Sequence, residues 1–374
     1  MEKGGELTNM EHEKLSTIST IILTLSIVIS YITSSLPRTF INEIKSATLL
    51  NIIYVTAIVL ILVLLICKLF KNFPGLDILD ISKFLGGNIF KNIIGSFFIS
   101  YFIISSSIML RNFCEGLGVV YYSLTNYVFI VLMFIISIAL VNTLSFNSSL
   151  NATSIVFPIV SISVILLFCG NIDNFSFKRI FPICGDSAYN TFILGLRNIG
   201  AFGGVCYIYF LPPMLKEPKK FKKIAIISVI FTGAFILLCV ATLLLMFSFF
   251  ITTDEIIPLF SAARHIEFGS FFQRFESIFL LIWIISFCCY LSLICKFSAH
   301  IFNKMFNLCD IKPTLNIFAM LIFGIALLPK NYAISNFFET HIYRYFQIAI
   351  GFILGISILT IANLKKRRAG VKDN

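Results

Sequence analysis

The sequence predicts an all-α integral membrane protein with about ten transmembrane helices, arranged as two inverted repeats of five. The composition indicates a membrane, because the 374 residues are 58% hydrophobic and only 13% charged, whereas soluble domains are nearer half apolar and a quarter charged. The chain also divides into apolar runs of membrane-spanning length. The first and sixth runs both end in a Leu-Pro pair, at Leu36-Pro37 and Leu211-Pro212.

Ten spans follow one another along the chain, each near the length of about 20 residues that a helix needs to cross a bilayer. They are Thr17–Leu36, Ala47–Phe70, Asn88–Leu110, Tyr127–Leu144, Thr153–Gly170, Tyr189–Met214, Ile224–Ile251, Phe271–Cys295, Pro313–Leu328 and Tyr345–Leu364. We number them as spans one to ten.

The charged residues predict the orientation. Of the 29 Lys and Arg residues, nineteen lie in loops, tails and span ends on one side of the ten spans, nine lie on the other side, and Arg197 lies well inside span six. Because cytoplasmic loops carry the excess of Lys and Arg, both tails, residues 1–16 and 365–374, are expected in the cytoplasm. The formal net charge of +11 therefore reflects membrane orientation rather than nucleic-acid binding.

The chain is expected to form a single transmembrane domain, residues 1–374, built from two repeats. The first repeat covers about residues 17–170 and the second about 189–364. Span one runs outward and span six runs inward, so the repeats are inverted, as in transporters whose binding site lies at broken helices near the bilayer midplane. We expect spans one and six to be the broken helices.

A short cytoplasmic helix is predicted between spans two and three. Pro74 suits the first helical position, Asp77 suits the positive end of the helix dipole, and Gly86-Gly87 suit the end of the helix. Its incomplete apolar face predicts either a helix that lies in the membrane interface or a plain tether between the two spans, and the tether is the preferred interpretation.

Span six is where the sequence places a binding site, because it contains four glycines, an arginine and a closing Pro-Pro. Backbone groups freed by a helix break need partners, since lipid offers none. Either these groups hold the carboxylate and ammonium of an amino-acid-like ligand, or the glycines only allow close helix packing. The residues predicted to line the pocket are Ser26, Ser30, Tyr31, Tyr101, Asn198, Gly200, Ala201, Phe202, Gly203, Gly204 and Trp283.

Arg197 lies roughly 12 Å into its span, at 1.5 Å per residue. A charge at that depth must face protein or water, and Glu115 and Glu276 are the expected partners. Arg197 either ties helices together or meets an anionic ligand and gates the outer mouth. The structural or gating charges are predicted to be Arg111, Glu115, Arg197, Arg274 and Glu276.

The sequence contains no constellation typical of an enzyme and no metal-ligand spacing. Neither a P-loop nor a Ser-His-Asp set in an exposed loop is present, and the ten cysteines form no CxxC motif. We therefore expect a protein without catalytic activity, cofactor or metal.

A resemblance to a known family lies in span eight. The run from Ala262 to Phe287 reads AARHIEFGSFFQRFESIFLLIWIISF and resembles the signature of the B subunits of bacterial spore germinant receptors. Arg111 and Glu115 in LRNFCEGLG fit an Arg…Glu pair of that family, and the linker Leu211–Lys223 is similar to its counterpart. The resemblance covers essentially the whole chain in span count, loop order and length.

The resemblance implies a leucine-transporter-like fold of the amino acid–polyamine–organocation superfamily. It also implies a sensor of a small germinant, commonly an amino acid, in the spore inner membrane, with both termini on the core side. The partners would be receptor A and C subunits and the lipid bilayer, with no nucleic acid. The family usually has Pro-Phe-Gly-Glu in span six, where this chain has AFGG from Ala201 to Gly204. The missing carboxylate implies a different germinant or an acidic partner elsewhere.

Three functions remain open from the sequence. The first is a sensor that couples germinant binding to its partner subunits, and the second is a secondary amino acid transporter. Carboxylates are absent from the middle of spans one and six, which weakens proton coupling through those helices and leaves sodium binding to carbonyl groups open. The third is a scaffold that only anchors the other subunits.

Overall fold

A computed structural model describes residues 14–33, 36–121, 124–185, 187–247, 252, 255, 257–266, 275–308, 312–368 and 370. Across these residues the fold is helical, without strands apart from an isolated parallel bridge between Leu15 and Leu215. Six helices are long and apolar enough to cross a membrane, and three shorter apolar helices accompany them. With the broken segment 189–214, these nine match the ten predicted spans in order. The all-α, multi-pass membrane fold is therefore confirmed.

The first half of the chain forms six helices, which supply spans one to five. They are α1 (Thr17–Thr33), α2 (Leu36–Ile44), α3 (Thr48–Phe70), α4 (Ile78–Val120), α5 (Tyr127–Asn142) and α6 (Phe146–Cys169).

The second half begins with the broken span six and continues with regular helices. Span six consists of a π-helical turn (Tyr189–Ile193), a 3-10 helix (Leu194–Phe202), the short α7 (Val205–Ile208) and a 3-10 turn (Pro212–Met214). The helices that follow are α8 (Phe221–Met246), α9 (Pro258–Arg264), α10 (Phe275–Phe306), α11 (Lys312–Ala326), α12 (Tyr332–Phe338), α13 (Arg344–Ile348) and α14 (Gly355–Arg368). Two π-helical segments, Glu339–Tyr343 and Ala349–Leu354, join the last three into one long span ten.

Span one lies close to its predicted bounds, Thr17–Leu36. The described helix α1 ends at Thr33, and a separate short helix, α2, covers Leu36–Ile44. Pro37 occupies the second position of α2, where a proline fits because the missing N–H has no intrahelical partner. This helix carries Arg38 and Glu43 toward protein partners.

The helix predicted before span three is present, but it begins at Ile78 rather than at Pro74. The carboxylate of Asp77 caps it, accepting hydrogen bonds from the N–H groups of Leu79 (3.0 Å) and Asp80 (2.9 Å). Non-helical backbone angles at Gly86 and Gly87 separate it from the rest of α4.

The apolar face of this helix packs into the protein. Ile78, Leu79 and Ile81 are fully buried. The ammonium group of Lys304, at the end of α10, lies 2.8 Å from a carboxylate oxygen of Asp77 and 2.8 Å from one of Asp80. These ion pairs therefore hold the start of α4 against the end of α10.

Spans one and six run in opposite directions. The backbone N–H of Leu15, just before α1, donates to the carbonyl of Met214 (2.6 Å), and the N–H of Lys216 donates to the carbonyl of Leu15 (3.1 Å). At the other end, Glu43 of α2 pairs with Arg197 near the start of span six. The start of one span lies beside the end of the other, as inverted repeats require. The boundaries of the two repeats stay a prediction.

The broken span six occupies the centre of the helix bundle. Its 3-10 helix packs against α3 and α13, while α1 packs against α6, α8 and α10. Phe202, Val205, Tyr207 and Phe210 are all buried. The break therefore faces neighbouring helices and not lipid, which satisfies the rule that irregular backbone at membrane depth must be enclosed by protein.

Candidate functional site

The glycines of span six allow three neighbouring elements to approach the break. A Cβ atom at Gly204 would collide with the carbonyl oxygen of Thr24 in α1, and one at Gly203 would collide with the hydroxyl of Tyr101 in α4. At Gly200 it would lie 3.1 Å from the carbonyl oxygen of Arg344 in span ten. Close packing is therefore part of the role of these glycines, whether or not they also hold a ligand.

Tyr101 of span three contacts both the break in span six and span ten. Its hydroxyl donates to the carbonyl of Gly203 (3.1 Å), and its own carbonyl accepts from the hydroxyl of Tyr343 (2.8 Å). The two tyrosine rings stack with centroids 6.2 Å apart. The carbonyl of Gly203 also accepts from the backbone N–H of Cys206 (3.1 Å). It is therefore satisfied both within span six and by span three, as the absence of water demands.

The serines predicted to face the break hydrogen-bond within their own helix. The hydroxyl of Ser26 donates to the carbonyl of Leu23 (2.7 Å), and that of Ser30 donates to the carbonyl of Ser26 (3.1 Å). Both serines are buried. The side chain of Tyr31 lies outside the described residues.

A network of buried polar side chains connects spans one, two, six and ten. The amide of Asn198 donates to the side-chain oxygen of Asn51 in α3 (2.9 Å), and Arg344 donates to the side-chain oxygen of Asn198 (2.7 Å). Glu43 accepts from Arg344 (3.1 and 3.2 Å) and from Arg197 (2.8 Å). One carboxylate therefore meets two guanidinium groups, and this three-residue cluster carries a net positive charge.

The expectation that Arg197 pairs with Glu115 or Glu276 is wrong, because its partner is Glu43. The predicted spans leave Glu43 in the loop between spans one and two, but the short helix α2 forms there and brings this carboxylate to the start of span six. Beside it, a cavity of about 320 Å³ is lined by Ile193, Leu194, Leu196, Arg197, Ile199, Tyr345 and Ile348. Arg197 is the charged residue of that cavity, and its side chain is 20% exposed.

Arg111 and Glu115 form an ion pair one helical turn apart. The Arg111 side chain is fully buried, with its guanidinium carbon 3.6 Å from the ring centroid of Tyr127 at the start of α5, within the range of a cation–π interaction. Its guanidinium also donates to the carbonyl of Ala326 at the end of α11 (3.5 Å). These contacts join spans three, four and nine.

Glu339 is a buried carboxylate that the sequence did not single out. It lies in a π-helical turn of span ten and accepts a hydrogen bond from the amide of Asn112, next to Arg111. Of the two charges predicted in span eight, Glu276 lies in the first turn of α10. Arg274 lies outside the described residues.

The structure brings together part of the predicted lining. Tyr101, Asn198, Gly200 and Gly203 meet around the break, with Ala201 and Phe202 buried between them. Trp283 is buried in α10 and packs on Phe279, with ring centroids 3.9 Å apart. The ligand role of all these positions stays a prediction.

Sequence reasoning missed the contribution of span ten. Tyr343, Arg344 and Gln347 all reach the neighbourhood of the span-six break. A signal was available, because Glu339, Tyr343 and Gln347 recur at intervals of four, which places them on one face of a helix.

Comparison with known proteins identifies one family. A family model described as spore germination protein matches residues 14–335, which includes nine complete spans and the start of the tenth. No protein of curated function matches the chain.

Proposed function

From the membership of this chain in the spore germination protein family, we propose that it is the membrane subunit of a nutrient germinant receptor. It binds a small germinant, by preference an amino acid, at the broken span six and thereby triggers germination. The observation that carries this proposal is the buried polar environment of the break, where span six meets spans one, three and ten. Such broken helices hold the substrate in transporters of similar architecture.

The charges beside the break suit the chemistry of an amino acid. Arg197 and Arg344 share the single carboxylate of Glu43, so an amino-acid carboxylate could join or replace Glu43 on these guanidinium groups. The ammonium group would meet backbone carbonyls of the break. That of Gly203 already accepts hydrogen bonds from the Tyr101 hydroxyl and from the N–H of Cys206, so binding there requires the Tyr101 hydroxyl to move away. The family usually has a glutamate where this chain has Gly204. In this chain Glu339, which lies one turn before Tyr343 in span ten, would supply the acidic group instead.

The Glu43–Arg197–Arg344 cluster also provides the two-state element that a sensor needs. It links α2, span six and span ten at the end of the bundle opposite Leu15 and Leu215. A ligand that binds more tightly to the state in which these contacts are rearranged shifts the population toward that state, by no more than its difference in affinity. The proposed receptor passes this change to A and C subunits in the spore inner membrane, with both termini on the core side.

Germination of intact spores tests the role of the break. We expect Gly203→Leu and Gly200→Val to abolish the response to the germinant, because the new side chains fill space held by Tyr101 and by span ten. Gly324→Leu is the control, since nothing lies within 4 Å of a Cβ atom there. The germinant itself is first found by testing spores that lack this chain against a panel of amino acids and sugars.

An unchanged germinant response in both variants, with normal protein levels, would refute the ligand site and leave the scaffold function. A response that is lost only because the variant protein is absent from the membrane is recognised by immunoblotting, and Gly203→Ala and Gly200→Ala then replace the larger substitutions.

A secondary amino acid transporter is the alternative, favoured by the antiparallel spans one and six. Counterflow of a labelled amino acid in proteoliposomes that contain this chain alone would support transport. The sensor proposal expects binding of the amino acid without counterflow.

A further inference from the structure

A groove of about 830 Å³ opens at the end of the bundle where span two ends and span six meets span seven. One wall is the last two turns of α3 and the turn after it, and the other is the linker that follows Pro212 together with the first turn of α8. Phe70 and Phe73 are buried at its base. The groove is far from the Glu43 cluster, which lies at the opposite end of span six.

The groove is strongly basic. Four lysines line it, two on each wall: Lys68, Lys71, Lys219 and Lys222. None of the described lining residues is acidic, and all four lysines are exposed. The nearest acidic side chain along the linker, Glu217, is already paired with Lys220 (2.8 Å). Four cations from two separate segments therefore converge on one space that no carboxylate of the described residues lines.

The base of the groove is apolar and continuous with the lipid-facing surface. Leu64, Cys67 and Phe70 line it from the final turns of a membrane-spanning helix. Ile61 and Leu65, in the preceding turns of that helix, are exposed large hydrophobic residues. A ligand in the groove would therefore have its charged part among lysines and its apolar part beside the bilayer core.

We propose that this groove binds the phosphate headgroup of an anionic phospholipid. The four lysines contact the phosphate and the acyl chains follow Leu65 and Ile61 into the bilayer. Basic pockets between transmembrane helices at the membrane surface have the charge and depth for such headgroups. The apolar base favours a lipid over free phosphate, which has nothing to place against Leu64 and Phe70.

A bound lipid would hold the end of the broken span six in place relative to span two. Lys68 and Lys71 belong to the end of span two and the turn after it, Lys219 belongs to the linker that follows Pro212, and Lys222 belongs to the first turn of α8. One phosphate held by both walls fixes the inner end of span six relative to span two. The lipid thereby stabilises the arrangement of span six that the structure shows.

Native mass spectrometry of the purified full chain in detergent tests the proposal. The probes are dioleoyl phosphatidylglycerol, dioleoyl phosphatidylcholine and inorganic phosphate. The groove variant carries Lys68→Gln, Lys71→Gln, Lys219→Gln and Lys222→Gln. The matched control removes the same charge from exposed lysines outside the groove, through Lys14→Gln, Lys83→Gln, Lys216→Gln and Lys223→Gln.

We expect the chain to retain one phosphatidylglycerol more tightly than phosphatidylcholine. The groove variant should bind phosphatidylglycerol about tenfold more weakly or worse, since each surface lysine contributes appreciably to anionic-lipid binding, while the control keeps its affinity.

Equal weakening in both variants would overturn the proposal in favour of general surface charge. Inorganic phosphate that displaces the lipid at equal concentration would overturn it in favour of a soluble-phosphate site. If an acidic peptide displaces the lipid and phosphate does not, the groove is a protein-docking surface and the proposal is wrong.

Thermal unfolding gives a second measurement in case the quadruple variant folds poorly. Lys71→Gln with Lys222→Gln takes one charge from each wall. Phosphatidylglycerol should raise the Tm of the natural chain and of the control, and it should raise that of this double variant distinctly less. An equal rise in all three proteins would contradict a site in the groove.

Discussion

Gly204 is the position where span six approaches the backbone of span one most closely. The φ angle of Gly204 is −57°, a value that any residue adopts. Glycine is required here only because a Cβ atom would collide with the carbonyl oxygen of Thr24. We expect Gly204→Ala to lower the unfolding free energy by about 1–3 kcal/mol, the usual cost of overpacking. A denaturant titration in mixed micelles measures this change.

Gly324→Ala serves as the control for the steric argument. This glycine lies in α11 with open space around its Cβ position, and alanine favours a helix by up to about 1 kcal/mol relative to glycine. Stability should therefore stay equal or rise. Equal losses in the two variants would show that the Thr24 contact is not the cause.

Asp77 predicts a pH dependence of stability. Burial raises the pKa of its carboxyl to about 6 from an ordinary value of 3.8, even though the ammonium of Lys304 opposes the change. Because the pKa is higher in the folded protein, the stabilisation is complete below pH 3.8 and is lost as pH rises to about 6. The pKa of the neighbouring Asp80 is lowered, because the charge and hydrogen bond of Lys304 outweigh its burial, so the contribution of Asp80 grows as pH rises and offsets part of this loss. We expect a net loss of less than about 3 kcal/mol across this window.

Asp77→Asn tests the assignment. Asparagine also caps helices and stays neutral, so this variant should show a flatter stability profile between pH 4 and pH 7. Glu217→Gln, at an exposed carboxylate, should leave the natural slope unchanged. A slope that persists in Asp77→Asn would assign the pH dependence to another group.

Charged residues also show the limit of sequence reasoning at this scale. The sequence located Arg197 inside a span and correctly required a partner for it. The partner could not be deduced, because Glu43 lies 154 residues away and only the packing of α2 against span six brings them together. In contrast, Arg111 and Glu115 are four residues apart, and helix periodicity alone places them on one face.

At the scale of elements, the apolar runs predicted the number and order of the spans, but not their ends. Helix α2 was missed because Arg38 and Glu43 interrupt the hydrophobic pattern, although both side chains turn toward protein partners. Span ten likewise begins at Tyr332, well before the predicted Tyr345, since its first turns carry polar residues that face the bundle. Hydropathy detects contact with lipid, and these segments contact protein.

The cluster that joins α2, span six and span ten should contribute strongly to stability. Glu43→Gln removes the carboxylate and leaves the buried guanidinium of Arg344 without an opposite charge. Breaking a buried ion pair in this way costs about 3–5 kcal/mol. The change is measured as unfolding free energy and compared with Glu217→Gln, whose exposed pair is worth about 0–1 kcal/mol.

A double variant separates the ion pair from the fold around it. In Glu43→Met with Arg344→Met both charges are removed, so much of the stability lost in Glu43→Gln should return. If the double variant loses as much unfolding free energy as the two single methionine substitutions together, the two residues do not act as a pair. The two-state element proposed for the Glu43–Arg197–Arg344 cluster would then lose its energetic basis.

At the scale of the whole molecule, the inverted arrangement rests on two contacts at opposite ends of the same pair of spans. Leu15 meets Leu215 at one end, and Glu43 meets Arg197 at the other. The sequence anticipated this antiparallel relation from the count of spans and the two Leu-Pro pairs. It could not predict that the break in span six would be enclosed by span ten, because that depends on how the two repeats pack.

The arrangement leads to a prediction about orientation in the membrane. The positive-inside rule places Lys71 and Lys216 in the cytoplasm and Lys178 and Arg264 outside, and all four side chains are exposed. Single cysteines at these positions, in a background with Cys169→Ser, Cys184→Ser and Cys309→Ser, report the side through a membrane-impermeant thiol reagent. In intact cells Lys178→Cys and Arg264→Cys should react, whereas Lys71→Cys and Lys216→Cys should react only after permeabilisation. The reverse pattern would place the lysine groove outside and the Glu43 cluster inside, so a germinant arriving from outside could no longer reach Arg197 first.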